Sequence, residues 1–241
     1  MYRSLASVYD RLSTVDYTLW ADFLEGIFDA SGQRVNKVFD LACGTGSMSL
    51  ELARRGYQVV GADLSAEMLS VAENKLRPFR VPLFKADMRN LPAVGEFDAV
   101  ICLCDSFNYL RELSDLAKVL LEIKRMSPKM LVFDLNTPYY LKEILGNNTF
   151  THNDEETAYI WHNSFSRKTG LCKMEITFFA AQGRNSWARF DEVHVEKPYP
   201  LELVKDLLGQ AGWKLLQVYD GYCGKPAREE SWRWLFVAEN R

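Results

Sequence analysis

Along the first 148 residues the apolar positions switch between a helical and an extended rhythm. Over residues 17–31, Leu19, Trp20, Phe23, Leu24, Ile27 and Phe28 recur at three- and four-residue steps, which puts them on one face of a helix that Gly32 ends. Residues 38–42, Val-Phe-Asp-Leu-Ala, are too short for a helix and suit a buried strand. A helix over 47–55 follows and closes near Gly56. The alternation then continues, with strands over 57–62, 81–85, 97–103 and 129–135 and helices over 65–76 and 113–126. Ser65 stands where a helix N-cap belongs, and Leu116, Val119, Leu120 and Ile123 share one side of the later helix. Apolar strands joined by helices specify a parallel sheet with crossover connections, covered on both faces: a three-layer α/β sandwich.

Between residues 149 and 197 the rhythm changes. Segments 157–163, 171–181 and 186–196 alternate partially, with turns expected over 166–170 and 182–185, so a small antiparallel sheet is inserted here. A helix over 201–211 and strands over 213–218 and 232–238 then bring the main sheet to seven mostly parallel strands. The chain thus divides into residues 1–148, the β insertion 149–197, and the closing helix and strands 198–241. Tyr159, Trp161, Phe165, Phe178, Phe179, Trp187 and Phe190 would suit the insertion either as a lid or as a dimer contact, leaving a monomer or a homodimer open.

Composition narrows the function classes. The net charge of −3, from 29 Lys plus Arg against 32 Asp plus Glu, gives no long-range pull toward a polyanion, which argues against nucleic acid as the partner. The five cysteines, Cys43, Cys102, Cys104, Cys172 and Cys223, have no repeated spacing, so neither a disulfide scaffold nor a metal site is expected, and a reducing cytoplasm is the simplest setting. The first ten residues lack the apolar run of a secretion signal, and no window reaches the roughly 18 apolar residues of a membrane span.

Candidate chemistry gathers where strands end. Asp40-Leu-Ala-Cys-Gly-Thr-Gly46 closes the first strand and opens a helix, and Gly44 and Gly46 allow a tight turn with backbone close to a ligand. Neither phosphate motif is met: Ser49 stands where G-x-G-x-x-G needs its third glycine, and no Gly-Lys-Ser/Thr follows. Asp40 would repel a pyrophosphate but could face an ammonium group. Asp63, at the tip of the second strand, can accept both hydroxyls of a ribose, a feature shared with nicotinamide enzymes. Asp87 can accept the exocyclic amine of adenine, with Leu64 and Met88 as apolar faces for the ring. Asp40, Asp63, Asp87 and Asp105 are therefore expected along one rim.

Taken together, Phe39–Gly46, Gly61–Leu69, Ala86–Arg89 and Cys104–Leu110 resemble the class I S-adenosylmethionine-dependent methyltransferases. Within these, the chain looks like a small bacterial group with an N-terminal Tyr-Asp and a β-rich insertion, related to amino-sugar and glycine N-methyltransferases. The resemblance spans about residues 1–240 and implies the Rossmann-like methyltransferase fold and S-adenosyl-L-methionine as cofactor. It further implies that Asp40, Ala42 and Gly44, with Gly46, hold the methionine part, that Asp63 grips the ribose, and that Asp87 and Met88, beside Leu64 and Met68, meet the adenine. Tyr9 and Trp20 would close over the cofactor, and Cys104 and Asp105 would border the transfer site. Ala42 stands where many relatives have glycine.

Methyl transfer from a sulfonium needs chiefly an acceptor lone pair held in line, so positioning carries much of the catalysis. The expected reaction is transfer to a nitrogen or oxygen of a small molecule. His194 and Arg189, on the strand 186–196, are candidates for a base and an anion anchor, with Tyr9 as a third catalytic candidate. Cys43 and Cys104 read as small residues at crowded strand ends. Asn136-Thr-Pro138 differs from the Asn-Pro-Pro-Tyr loop of base-amine methylation in nucleic acids. The alternatives are an RNA-modifying methyltransferase, a regulatory protein that binds cofactor without turnover, and a nicotinamide oxidoreductase, for which the third glycine and a Tyr-x-x-x-Lys pair are missing.

Overall fold

The computed structural model describes residues 6, 9–183 and 186–240. The expected turn over 182–185 and the first ten residues thus fall partly outside the described residues. A short helix α1 (Tyr9–Leu12) precedes α2 (Tyr17–Ala30), which Asp16 caps by accepting from Leu19 N at 3.0 Å. The strands and helices that follow are β1 (Lys37–Leu41), α3 (Ser47–Arg54), β2 (Gln58–Asp63), α4 (Ala66–Leu76), β3 (Leu83–Lys85), β4 (Ala99–Cys102), α5 (Leu113–Arg125) and β5 (Met130–Asn136). Ser65 caps α4 as expected, accepting from Met68 N.

After β5 a π-helical turn over Tyr140–Leu145 leads into β6 (Thr149–Asn153), β7 (Thr157–Ser166), β8 (Leu171–Ala181) and β9 (Trp187–Glu196). Helix α6 (Leu201–Gln210), β10 (Trp213–Asp220) and β11 (Arg233–Asn240) close the chain. The main sheet runs β10-β11-β5-β4-β1-β2-β3; β11 pairs antiparallel with both neighbours, so it is the one reversed strand of seven. This is the seven-stranded, mostly parallel sheet that the pattern predicts. The insertion holds four antiparallel strands instead of three, in the order β6-β7-β8-β9. All five side chains of β6 are exposed, so this edge strand carries no half-buried alternation to betray it.

Alternation along the central strands divides the core into two layers. Phe39, Leu41, Val100, Cys102, Leu131 and Phe133 pack with Leu116, Val119, Leu120 and Ile123 of α5 and with Val204, Leu207 and Leu208 of α6. Val38, Ala99, Ile101, Met130 and Val132 pack on the other side with Leu24 and Phe28 of α2 and Leu52 of α3. With apolar side chains locked on both faces, the carboxyl ends of the parallel strands form a stable shelf for polar residues. The insertion stands over that shelf on two supports. Cys172 and Met174 pack on Leu141 and Leu145 of the π-helical turn, and Phe178 and Ala180 pack against Tyr9 and Leu12 of α1.

Candidate active site

A cleft of about 800 Å³ opens over the carboxyl ends of β1, β2 and β3, within the size range of small-molecule and cofactor sites. Its walls include Tyr9, Ala42, Gly44, Asp63, Leu64, Met68, Asp87, Met88 and Cys104 from the sequence expectation. They also include Ser106, Tyr109, Val193 and Val195, which that expectation did not contain. A small side recess holds Asp40 beside Ala42, Gly44, Tyr9 and Cys104.

The glycine turn works by backbone geometry. Gly44 has φ +55, and a Cβ there would meet nothing within 4 Å, so its backbone faces open space at the cleft. Gly46 serves a different purpose from the one expected, since it does not line the cleft. At φ +77 its absent side chain leaves room for α4: a Cβ would stand 2.7 Å from Leu76 Cδ1. Ala42, at φ 61, occupies the left-handed region that a side chain disfavours.

Asp63 holds the turn against α4, with Oδ2 accepting from Gly44 N at 2.9 Å and Oδ1 from Ser65 N at 2.8 Å. Leu64 N is a third backbone donor, and the carboxylate's roughly four lone-pair sites leave room to accept from a ligand. Burial raises its pKa above the ordinary carboxylate value, and those backbone donors oppose the rise. Asp40 lies deeper, 3% exposed, accepting from Ser49 Oγ at 2.6 Å. Burial chiefly, with repulsion from Asp63, brings its pKa up to about 7. Asp87 behaves in the opposite way, because Arg89 hydrogen-bonds both its oxygens and lowers its pKa.

Asp10 pins the N-terminal helix to the turn. Its Oδ1 accepts from Thr45 Oγ1 at 2.6 Å and Ser47 Oγ at 3.2 Å, and Lys75 pairs with its Oδ2 at 2.7 Å. Tyr9, one residue before, is thereby held at the cleft wall and against the insertion.

Besides Gly46, four more expected site residues stand away from the cleft. Trp20 stacks on Tyr222, with ring centroids 3.6 Å apart. Asp105 is drawn to Arg233 Nη2 at 2.7 Å, so the predicted rim of four carboxylates stops at three. Arg189 pairs with its strand neighbour Asp191 at 2.9 Å, both more than half exposed, which removes it from the site. His194 is 3% exposed and sits behind the wall, with Nδ1 3.0 Å from the hydroxyl of Tyr109. Its flanking residues Val193 and Val195 face the cleft instead.

Next to Cys104 lies a polar cluster that the sequence reading missed. Asp134, fully buried in β5, accepts from Cys104 N at 3.1 Å, Asp105 N at 2.6 Å and Tyr222 Oη at 2.6 Å, and pairs with Arg233 Nη1 at 2.9 Å. These bonds hold Cys104 and Asp105 at φ 56 and 53, and so shape the bend after β4. Burial raises the Asp134 pKa while Arg233 opposes it. Glu196 of β9, 2% exposed, accepts from Asn136 Nδ2 at 2.9 Å; burial, then Asp105, raises its pKa. An aspartate amid the apolar run of residues 130–135 was the available signal.

Residues 38–128 match a family model described as a methyltransferase domain. The chain is 35% identical to the putative methyltransferase YqeM of Bacillus subtilis, an alignment spanning 99% of this chain and 97% of that protein. A solved S-adenosylmethionine-dependent methyltransferase from Clostridium acetobutylicum superimposes with TM-score 0.90 at 33% identity, covering 99% of this chain and 98% of that one. The chain belongs to the class I S-adenosylmethionine-dependent methyltransferases. Over 106 residues, 42% of this chain and 36% of the other, it is also 42% identical to a glycine/sarcosine N-methyltransferase of Parasynechococcus marenigrum. For this family member, the cleft over β1–β3 passes the test of fit for the nucleoside cofactor. Open space faces the Gly44 backbone, the Asp63 carboxylate lines the same cleft, and Leu64, 60% exposed, and Met88 add apolar surface to its wall.

Proposed function

We propose that the protein transfers a methyl group from S-adenosyl-L-methionine to a nitrogen or oxygen atom of a small molecule. The observation that carries this reading is the Asp63 carboxylate. Backbone N–H groups fix its two oxygens at the edge of the 800 Å³ cleft and leave the carboxylate acceptor capacity for a ligand. Two adjacent hydroxyls on a ribose match that pair of acceptors.

In this reading Asp87, Met88, Leu64 and Met68 meet the adenine. The backbone at Ala42 and Gly44 takes the methionine carboxylate end, and Asp40 in its recess faces the ammonium. The bound cofactor supplies an electrophilic methyl on a sulfonium, so the protein's task is to bind, orient and exclude water. Tyr9 closes the cleft from the α1 side, Cys104 and Ser106 border the acceptor end, and Val193 and Val195 bring the insertion down as a lid. The similarity to a glycine/sarcosine N-methyltransferase over less than half the chain supports a small acceptor. The net charge of −3 also favours one over a polyanion.

Calorimetric titration with S-adenosyl-L-methionine tests the first half. Saturable binding by the native protein, much weakened in Asp63→Ala, is the expected result, and equal binding by both would remove the ribose role. Transfer of label from the cofactor into a panel of small amines and alcohols tests the second half. Labelling of RNA in preference to that panel would overturn it.

A further inference from the structure

Two stretches of chain close one side of the cleft: the 3-10 turn Ser106–Tyr109 with Leu110 and Arg111, and Val193 and Val195 of β9. Ser106 and Tyr109 line the cleft, whereas Phe107 and Asn108 between them are fully buried. Phe107 packs on Phe133 of β5, with ring centroids 5.0 Å apart. Asn108 is polar, so its buried amide must find partners. Its Oδ1 accepts from Asn136 N at 2.9 Å and its Nδ2 donates to Asn136 O at 3.0 Å, so the side chain pairs with the end of β5 as a neighbouring strand would. Nδ2 also donates to Lys197 O at 2.9 Å, where the chain leaves β9, and Lys197 N donates in return to Asn108 O at 2.8 Å. An N–H faces one end of the amide and two carbonyls face the other, which fixes its orientation.

We infer that Asn108 is the positioning residue that holds Ser106 and Val195 at one spacing across the acceptor end of the cleft, by tying the turn to β5 and to the exit of β9 at once. This rests on the methyltransferase reading above and adds to it a residue outside the cleft that sets the cleft's width. Ser106 stands two residues before Asn108, and Val195 two before Lys197, so a slip at either tie moves a wall residue directly. In-line attack is sensitive to such a slip, since a misplacement of about 1 Å costs on the order of 100-fold in rate. An apolar side chain could fill the same space, but it would leave Asn136 N, Asn136 O and Lys197 O without these partners. Other bonds run alongside: Lys197 Nζ donates to Arg111 O at 2.8 Å, Tyr199 Oη to Leu110 O, and Asn136 Nδ2 to Glu196 Oε2 at 2.9 Å. Among the described residues of the turn, Asn108 is the one whose side chain reaches both β5 and the chain leaving β9.

Asn108→Asp separates positioning from packing, because it keeps the shape and Oδ1 while removing both Nδ2 donors. Ionised, the new carboxylate faces two carbonyl oxygens; protonated, it regains one donor. Burial and those carbonyls favour the protonated form, so lowering the pH restores one tie. The titratable groups on the turn's cap and on the two strands packed against it are Asp105, Asp134, Glu192, His194 and Glu196, with Arg233 paired to both aspartates and Lys197 just beyond β9. Each variant is therefore read against the native protein at the same pH. In valine-methyl-labelled protein, with lines assigned through Val193→Ile and Val195→Ile, the native chain should give one sharp set for both residues at pH 8 and pH 5.5. In Asn108→Asp these lines should be displaced or doubled at pH 8 and return toward the native positions at pH 5.5. Protection of the Lys197 amide hydrogen from exchange should fall about tenfold at pH 8, the loss of one hydrogen bond. Valine lines that stay native at pH 8, or that do not return on acidification, overturn the inference, as does rapid exchange of the Asn136 or Lys197 amide hydrogen in the native protein. Should Asn108→Asp not fold, Asn108→Ser is too short to reach either partner and should displace the valine lines at both pH values; native lines there overturn the inference equally. S-adenosyl-L-methionine should bind each variant as tightly as the native protein, and affinity lost in step with the valine shifts would overturn a role confined to the acceptor end. A native protein that binds no cofactor would instead sink the methyltransferase reading, and the valine lines would still decide what Asn108 holds.

Discussion

At the carboxyl ends of β1–β3, Asp40, Asp63 and Asp87 line the cleft or its recess. At the ends of β4 and β5, Asp105 and Asp134 are bound to Arg233. The residue type is the same, yet the roles diverge because of what each carboxylate meets. Asp63 has only backbone donors and keeps lone pairs to spare. Asp134 is saturated by two backbone N–H groups, a phenol and a guanidinium. The cation that decides the matter lies 128 residues beyond Asp105 in the chain, on the reversed strand β11. A cation from the far end of the chain, as Arg233 is to Asp134 and Asp105, withdraws carboxylates from the cleft, whereas Arg89, two residues along the same loop, leaves Asp87 on the cleft wall.

Removing that cation should break the contrast most severely. Arg233→Met leaves Asp134 buried without its counter-charge, and chemical denaturation at neutral pH should show a loss of about 3–5 kcal/mol. The deficit should shrink as pH falls and the carboxyl takes up a proton, and a deficit that grows instead would count against the pairing. On the ligand side, Asp63→Ala should weaken cofactor binding roughly 100-fold, equivalent to two charge-assisted hydrogen bonds. Calorimetry of the two proteins gives the ratio directly.

Asp40 sharpens the comparison by pH. With a pKa of about 7 it is protonated, and useless to an ammonium, over the lower half of the neutral range. Affinity should fall by about tenfold between pH 8 and pH 6 as the ionised fraction drops. Asp40→Asn should bind weakly at both ends, with the slope gone; a native profile flat across this window would remove Asp40 from the ammonium's company. The smallest effect is expected at Ala42. Replacing it by glycine relieves a left-handed backbone, a gain of about 1 kcal/mol partly offset by the freer unfolded chain. Thermal unfolding should rise by about 2 °C or less.

The same contrast explains what the sequence could disclose. The parallel sheet was legible because neighbours such as Val100 and Ile101, or Leu131 and Val132, fall on opposite faces of a strand buried on both and must all be apolar. The cleft residues Asp63, Asp87 and Met88 were legible because local strand–turn–helix geometry places them. Strand β6 was not, since an exposed edge imposes no pattern on its side chains. Nor was the Asp134–Arg233–Tyr222 cluster, whose members come from separate strands and loops and meet only after the chain has closed. For β9 the period of two was right, but period alone does not say which face meets ligand. His194 turned inward to Tyr109, and Val193 and Val195 took the wall.

Helix α1 has only four residues, yet Asp10 fastens it to Thr45, Ser47 and Lys75 while Tyr9 and Leu12 touch the insertion. It acts as a clasp between the main sheet's glycine turn and the inserted sheet. A shortened protein lacking residues 1–12 would lose an anion beside Lys75 and an apolar seat for Phe178 at one stroke. Because the same cut removes Tyr9 from the cleft wall, Asp10→Ala and Leu12→Ala, which leave Tyr9 in place, are the changes that loosen the clasp alone.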